Sequence, residues 1–300
     1  AVSNMDCGIT GPVVFNVAPG TYTEQIRMHK VPGASNTSRV TFQSADGSAA
    51  SVTLKFTGTS TNNYVLKLDS ASFVTYKDMT IEAVSTTNGR AIELAGTTSY
   101  DSLVNLVINV PATTTTTTAV VGVYADAFKG GNNVIKGNTI SGGSSGIYLR
   151  GSINAPTRLN VIDGNTITGS YQNGIYTNYT SRIKISNNTV NQAAPLDAKA
   201  YGLYAGLCDS AYQLVGNKVN INNTSTAVYG IYVNTGKGTA MERGTVAGNT
   251  VLGTTNNSGD LYGLVNYAST YNNIVNNVVS IKTTGANSYG LYSFDARFGN

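Results

Sequence analysis

Short runs of alternating apolar and polar residues recur along the chain, separated by Gly, Asn and Ser. A Gly-aliphatic-Tyr string appears as Gly122-Val123-Tyr124, Gly146-Ile147-Tyr148, Gly174-Ile175-Tyr176, Gly202-Leu203-Tyr204, Gly230-Ile231-Tyr232 and Gly290-Leu291-Tyr292. Gly263-Leu264-Val265 is a degenerate copy, and successive copies start 24 to 33 residues apart. Between them runs a second string built on Asn-x-aliphatic: Asn138-Thr139-Ile140, Asn165-Thr166-Ile167, Asn188-Thr189-Val190, Asn217-Lys218-Val219, Asn249-Thr250-Val251 and Asn277-Val278-Val279. An aliphatic run such as Val134-Ile135, Val161-Ile162 or Leu214-Val215 precedes each copy. Period-two alternation marks strands, and no stretch shows the 3.6-residue period of a helix.

A repeat of this length with several short strands is shorter than a propeller blade and lacks the LxxLxL ladder of leucine-rich repeats. It fits one turn of a solenoid whose coils lay strand upon strand. The predicted fold is therefore all-β, a right-handed parallel β-helix of about nine coils with three short strands per coil and no substantial helix. At about 4.8 Å per coil this is a rod of roughly 40 Å. Residues 1–300 read as a single domain, with irregular opening coils over 1–60 and regular coils over 61–300. Thr113 to Thr118 reads as a loop bulging from one coil. The repeat signature runs to Tyr292 without a polar cap, so the native protein is expected to continue beyond Asn300.

Strand alternation assigns the faces. In Gly146-Ile147-Tyr148-Leu149-Arg150, Ile147 and Leu149 are expected inside, with Gly146, Tyr148 and Arg150 outside. Tyr124, Tyr148, Tyr176, Tyr204 and Tyr232 then form an outward column on successive coils. Aromatic rings with hydroxyl handles suit sugars or a protein partner, so this column is the candidate ligand-binding face. Asn138, Asn165, Asn188, Asn217, Asn249 and Asn277 fall at the turns. There Asn tolerates left-handed backbone, and its amide can bond the Asn of the next coil; the predicted role is a structural ladder.

Composition narrows the function. Hydrophobic residues make up 41% and charged residues 11%, which excludes a highly charged disordered chain. No apolar run reaches the roughly 20 residues of a membrane span. The net charge of +4 is spread without a basic cluster, so neither nucleic acid nor membrane insertion is expected. With His29 as the one histidine, and Cys7 and Cys208 far apart, no metal centre, cofactor or disulfide framework is expected. Heavy use of Ser, Thr, Asn, Gly and Tyr points to an extracellular or cell-surface location.

The paired motifs resemble those of the right-handed parallel β-helix proteins of the pectin-lyase-like superfamily. The opening Gly11-Pro12-Val13-Val14-Phe15-Asn16-Val17-Ala18-Pro19-Gly20-Thr21-Tyr22-Thr23-Glu24-Gln25-Ile26 is similar to that of secreted surface β-helix proteins of Bacteroidetes-type bacteria. The resemblance implies the fold across nearly the whole chain; activities in the superfamily range from lyases, hydrolases and esterases to adhesins and stalks. Arg182-Ile183-Lys184 matches one element of the hydrolase pattern, but its Asp-Asp and His-Gly elements are missing. Asp69 and Asp126 occupy equivalent outward positions with Glu93 in register, and Ala95 stands where a further carboxylate would be needed. Asp69-Ser70-Ala71, Asp101-Ser102-Leu103 and Asp209-Ser210-Ala211 resemble the O-glycosylation acceptor of Bacteroidetes, which implies glycan on Ser70, Ser102 or Ser210. The expected function is a structural or adhesive module of a larger surface or filament protein. It would bind glycan or a cell-surface partner along the Tyr column, and open coil edges would permit end-to-end self-association. The alternative is a polysaccharide lyase or glycoside hydrolase acting on an acidic polysaccharide.

Overall fold

The computed structural model describes residues 7–192, 199–222, 227–254, 259–284 and 287–297. The expected continuation beyond Asn300 lies outside them. Each regular coil contributes three strands, as in Val134–Lys136, Thr139–Ser141 and Ser145–Arg150. Among the described residues, stacking the coils yields three parallel sheets of ten successive strands each, with the short Thr157–Arg158 pairing beside the third, and each interior strand pairs with its equivalent one coil earlier and one coil later. The winding is right-handed, the sense in which twisted parallel strands reconnect. The described residues contain no helix.

The solenoid has about ten coils, close to the nine expected. The extra coil comes from the opening segment, which already supplies strands to all three sheets. Val13–Val17 pairs with Val40–Ser44, Gly20–Thr23 with Val52–Phe56, and Ile26–Met28 with Leu66–Asp69. These strands lack the Asn and Tyr signatures, so repeat counting does not reach them.

The bore is filled by in-register aliphatic stacks. Ile135, Ile162, Ile185 and Leu214 form one, Ile140, Ile167, Val190 and Val219 a second, and Ile147, Ile175, Leu203 and Ile231 a third; all are buried. Burying each such side chain stabilises the fold by about 1.5–3 kcal/mol relative to exposure. At the N-terminal end the filling becomes aromatic, with Phe15, Phe42 and Tyr76 stacked at centroid separations of 4.7 and 4.8 Å.

Alternation fails at one place, and the failure is systematic. Gly146 was expected outside but is buried beside the equally buried Ile147. A Cβ on Gly146 would lie 2.4 Å from Ile167 Cγ2, and one on Gly202 would lie 2.2 Å from Val219 Cγ1. Two consecutive inward residues turn the corner into the third sheet, and the first must be Gly because the bore leaves no room for a side chain.

A second difference concerns the turns. The left-handed residue is the one before each ladder Asn: Gly137, Gly164, Asn187, Gly216, Gly248 and Asn276, with φ of 65, 65, 55, 67, 62 and 54°. Gly and Asn carry that conformation at least cost. The ladder Asn itself is left free to use its amide inside the corner.

Candidate functional site

The third sheet carries the tyrosines. Tyr124, Tyr148, Tyr176, Tyr204 and Tyr232 occupy one register column on consecutive coils. Their rings stack at 5.5, 4.7, 4.7 and 5.6 Å with interplanar angles of 15° or less. Tyr124 is buried and the others are half-buried. Stacking at this distance covers the ring faces, so the column presents edges and hydroxyls. Two of those hydroxyls are tied down by asparagines: Asn178 Nδ2, two positions further on, donates to the Tyr176 hydroxyl at 3.0 Å, and Asn234 Nδ2, from the next coil, to the Tyr204 hydroxyl at 2.9 Å. Burial, reinforced by neighbouring tyrosines, pushes Tyr148 and Tyr232 up to about 12, so both remain protonated donors at neutral pH.

A second tyrosine column, which alternation places on the wrong face, lies beside the first. Tyr201, Tyr229, Tyr262 and Tyr289 stack at 5.0, 4.8 and 5.6 Å. They meet the first column edge-on, as in Tyr201–Tyr204 at 5.1 Å and 73° and Tyr229–Tyr232 at 5.1 Å and 88°. Residues three apart in a regular strand point to opposite faces; here the inward Gly-aliphatic pair between them restores the same face. The sequence signal was Tyr-Gly-aliphatic-Tyr, present at Tyr201–Tyr204, Tyr229–Tyr232 and Tyr289–Tyr292. Aromatic pairs in such offset and edge geometries contribute about 0.5–1.5 kcal/mol each beyond burial.

Towards the N-terminus the first column becomes ionic. Arg27, Lys67 and Glu93 precede Tyr124 in register. Lys67 Nζ lies 2.7 Å and Arg90 Nη1 3.0 Å from Glu93, while the Arg90 guanidinium sits 3.5 Å from the Tyr124 ring centroid. Arg27 pairs with Asp69, and Arg150 lies 3.3 Å from Asp126. The hydrogen bond from Arg27 holds the Asp69 carboxyl below its ordinary value. Each of these carboxylates is matched to its own cation, and Ala95 pairs with Asp69 in the intervening register. Arg182, from the hydrolase-like tripeptide, pairs with Glu242.

The ladder asparagines form one unbroken chain of bonds. Asn138, Asn165, Asn188, Asn217 and Asn249 each donate Nδ2 to Oδ1 of the next member, at 2.8 to 3.0 Å, ending on Asn277. Each also reaches a strand carbonyl of an earlier coil, such as Ile162 O for Asn188 at 2.9 Å. These bonds satisfy corner groups that would otherwise be buried unpaired.

The three candidate acceptor serines sit on different backgrounds. Ser70 and Ser210 occupy left-handed turn positions with φ of 56 and 46°. Ser102 lies on a strand and accepts a bond from Arg39 Nη2 at 3.3 Å, while its neighbour Asp101 is buried. A cavity lies elsewhere, at the N-terminal mouth of the bore. It measures about 860 Å³ and is walled by Phe15, Tyr22, Met28, Phe42, Tyr76 and Met79, with Arg27, His29 and Lys30 at its rim.

In-register ladders on three parallel sheets define a right-handed parallel β-helix. Within that class, residues 5–241 match the family described as periplasmic copper-binding protein (NosD), and the chain belongs to that family. Among solved structures, the DFA-IIIase of Arthrobacter chlorophenolicus A6 superposes with a TM-score of 0.51 at 11% identity, over 96% of this chain and 80% of that one. The alginate lyase of Paenibacillus sp. str. FPU-7 gives 0.47 at 13% identity, over 99% and 96%. Pectate lyase Pel9A gives 0.40 at 12%, over 96% and 72%. At these identities the likeness concerns the fold alone. No curated protein matches the sequence.

Copper in proteins is held by thiolate, thioether and imidazole donors. Here Cys208 is buried, and desolvation pushes its thiol up to about 11. Met28 and Met79 are packed into the core, Met241 is 98% exposed, and His29 stands at the rim. Among the described residues no three His, Cys, Asp or Glu side chains come together in a metal-holding group. These side chains do not compose a copper centre.

Proposed function

We propose that the chain is a structural or adhesive β-helix module of the cell envelope or extracellular surface, whose third sheet receives a glycan or a protein partner. The observation that carries this reading is the paired tyrosine array. Two columns of stacked rings in edge contact make a rigid, uncharged surface whose aromatic edges and hydroxyls repeat at the coil spacing. Such a surface loses little conformational freedom on binding, and Tyr combines large contact area with a polar handle. Because the ring faces are covered, the partner is gripped through edges and hydroxyl groups rather than by sugar rings lying flat on an aromatic face.

The lyase or hydrolase alternative needs carboxylates or bases that converge and remain free. On this sheet Asp69, Glu93 and Asp126 are each engaged by a cation, which favours the non-catalytic reading. The family description supports an envelope location.

The test replaces Tyr148, Tyr176 and Tyr204 together with Ser, and separately with Phe, and measures binding to a glycan array and to intact cells. Loss with Ser is expected, and partial loss with Phe, which keeps the stack but not the hydroxyls. Unchanged binding by the Ser variant refutes the assignment. Incubation with uronate polymers that yields unsaturated or reducing ends would favour the enzyme instead.

A further inference from the structure

At the corner leading into the first sheet, a second and shorter ladder contains one member that breaks the pattern. Asp101, Asn133 and Asn160 occupy the same position on consecutive coils, each immediately before a strand residue in mutual register. The Asp101 N–H donates to Asn133 Oδ1 at 3.0 Å, and the Asn133 N–H to Asn160 Oδ1 at 3.1 Å. Asn133 completes its rung by donating Nδ2 to Thr98 O at 3.0 Å and to Asn160 Oδ1 at 3.1 Å.

Asp101 performs the accepting half of this role and lacks the donating half. Its Oδ1 takes the Val74 N–H at 2.6 Å. Its Oδ2 replaces the Nδ2 of the neighbouring rungs, is buried, and has no hydrogen-bond partner. The side chain is 1% exposed. A carboxylate oxygen in that place can only accept, where the ladder calls for a donor. A protonated oxygen donates, as the amide does in the rungs that follow.

We propose that Asp101 is a proton-dependent rung: its carboxyl carries a proton in the folded solenoid, and losing that proton as the pH rises loosens the coils on either side of it.

The charged and titratable groups facing it are few. Arg39, from an earlier coil, favours the charged form, but it is itself committed to Tyr100 O at 2.7 Å and to the Thr75 and Ser102 hydroxyls at 3.3 Å. Tyr76, inside the bore, is neutral, and its own hydroxyl is buried without a partner. Burial dominates over the Val74 hydrogen bond and Arg39, and raises the carboxyl from 3.8 to about 7. The direction of the coupling follows. A group whose folded value is raised binds more protons folded than unfolded, so its contribution is complete below about pH 4 and is lost as the pH climbs through about 7.

Asp101→Asn supplies the missing donor without changing shape. Urea unfolding of both proteins at pH 5, 6, 7 and 8 tests the idea. The ratio of their folding equilibrium constants should rise in favour of the variant by up to about tenfold per pH unit between 5 and 7, and then level off. Parallel profiles would overturn the proposal. Independently of the variant, the Asp101 carboxyl carbon of the unsubstituted protein can be titrated by NMR; a midpoint below pH 5 would overturn it as well.

Discussion

Asn188→Ala is the most direct test of what holds the corners together. Asn188 is fully buried. Its Oδ1 accepts from the Asn165 N–H and from Asn165 Nδ2, both at 2.9 Å. Its Nδ2 donates to Ile162 O and Ser186 O at 2.9 Å and to Asn217 Oδ1 at 3.0 Å. Truncation removes all of these at once. Asn165 Nδ2 keeps Ile135 O, the Ile162 carbonyl keeps its place in the strand ladder, and Asn217 Oδ1 keeps the Asn188 N–H, so the group most damaged is the Asn165 N–H. A buried polar group left unpaired costs about 1–3 kcal/mol, which sets the scale of the loss.

Asn277 provides the internal control. It makes comparable bonds, donating to Val246 O at 2.8 Å and accepting from the Asn249 N–H at 3.0 Å, but they are only partly buried. Water can replace much of what Asn277→Ala removes, so its cost should stay below about 1.5 kcal/mol. Thermal unfolding separates the two, at about 2–4 °C per kcal/mol for a chain of 150–250 residues and somewhat less for a longer one. Amide exchange locates the damage: protection should fall first at Asn165 and then along the amides of the same ladder. If both variants melt together, within about 2 °C of the unsubstituted protein, the ladder is not what secures the corners.

Two further outcomes follow from the corners and the thiols. Gly202→Ala drives a Cβ to 2.2 Å from Val219 Cγ1 and 2.7 Å from Gly230 O, and overpacking of this kind costs about 1–3 kcal/mol or more. Gly164→Ala meets nothing within 4 Å and carries only the strain of φ +65°, about 1–2 kcal/mol; melting temperatures in the reverse order would contradict the packing argument. Cys7 is exposed, whereas Cys208 is buried with its thiol pushed up to about 11. A thiol reagent at pH 8 should therefore label Cys7 rapidly and Cys208 only under denaturant, and rapid labelling of both would place Cys208 on the surface.

The aliphatic stacks and the Asn column were legible because each repeats the same residue type at the same place in coil after coil. What escaped were features set by relations between positions. The second tyrosine column needs the inward Gly-aliphatic pair to bring Tyr201 and Tyr204 onto one face, and simple alternation cannot produce that. The turn conformation was assigned to Asn138 and its equivalents, but the backbone places it on Gly137 and its equivalents, since both types tolerate it. Asp101 was legible only as part of Asp101-Ser102-Leu103. Its ladder holds Asn133 and Asn160 and then gives way to Ile183 and Tyr212 on the next coils. Three polar members followed by apolar ones do not register as a repeat.

The same regularity explains why the fold is easier to read than the ligand. Coil stacking forces like residues into columns, so a binding face on this rod is a set of near-equivalent contacts repeated at about 4.8 Å rather than one convergent constellation. Each tyrosine rung then contributes weakly, and affinity grows with the number of rungs a partner spans, as for linked binding modules. That is why the binding test removes three adjacent tyrosines together. A convergent catalytic site would behave oppositely, with one substitution abolishing activity. On the third sheet Asp69 is paired with Arg27, Glu93 with Lys67 and Arg90, and Asp126 with Arg150. If the proposed binding role holds, the partner that suits such a periodic face is an extended polymer or a long surface lying along the rod.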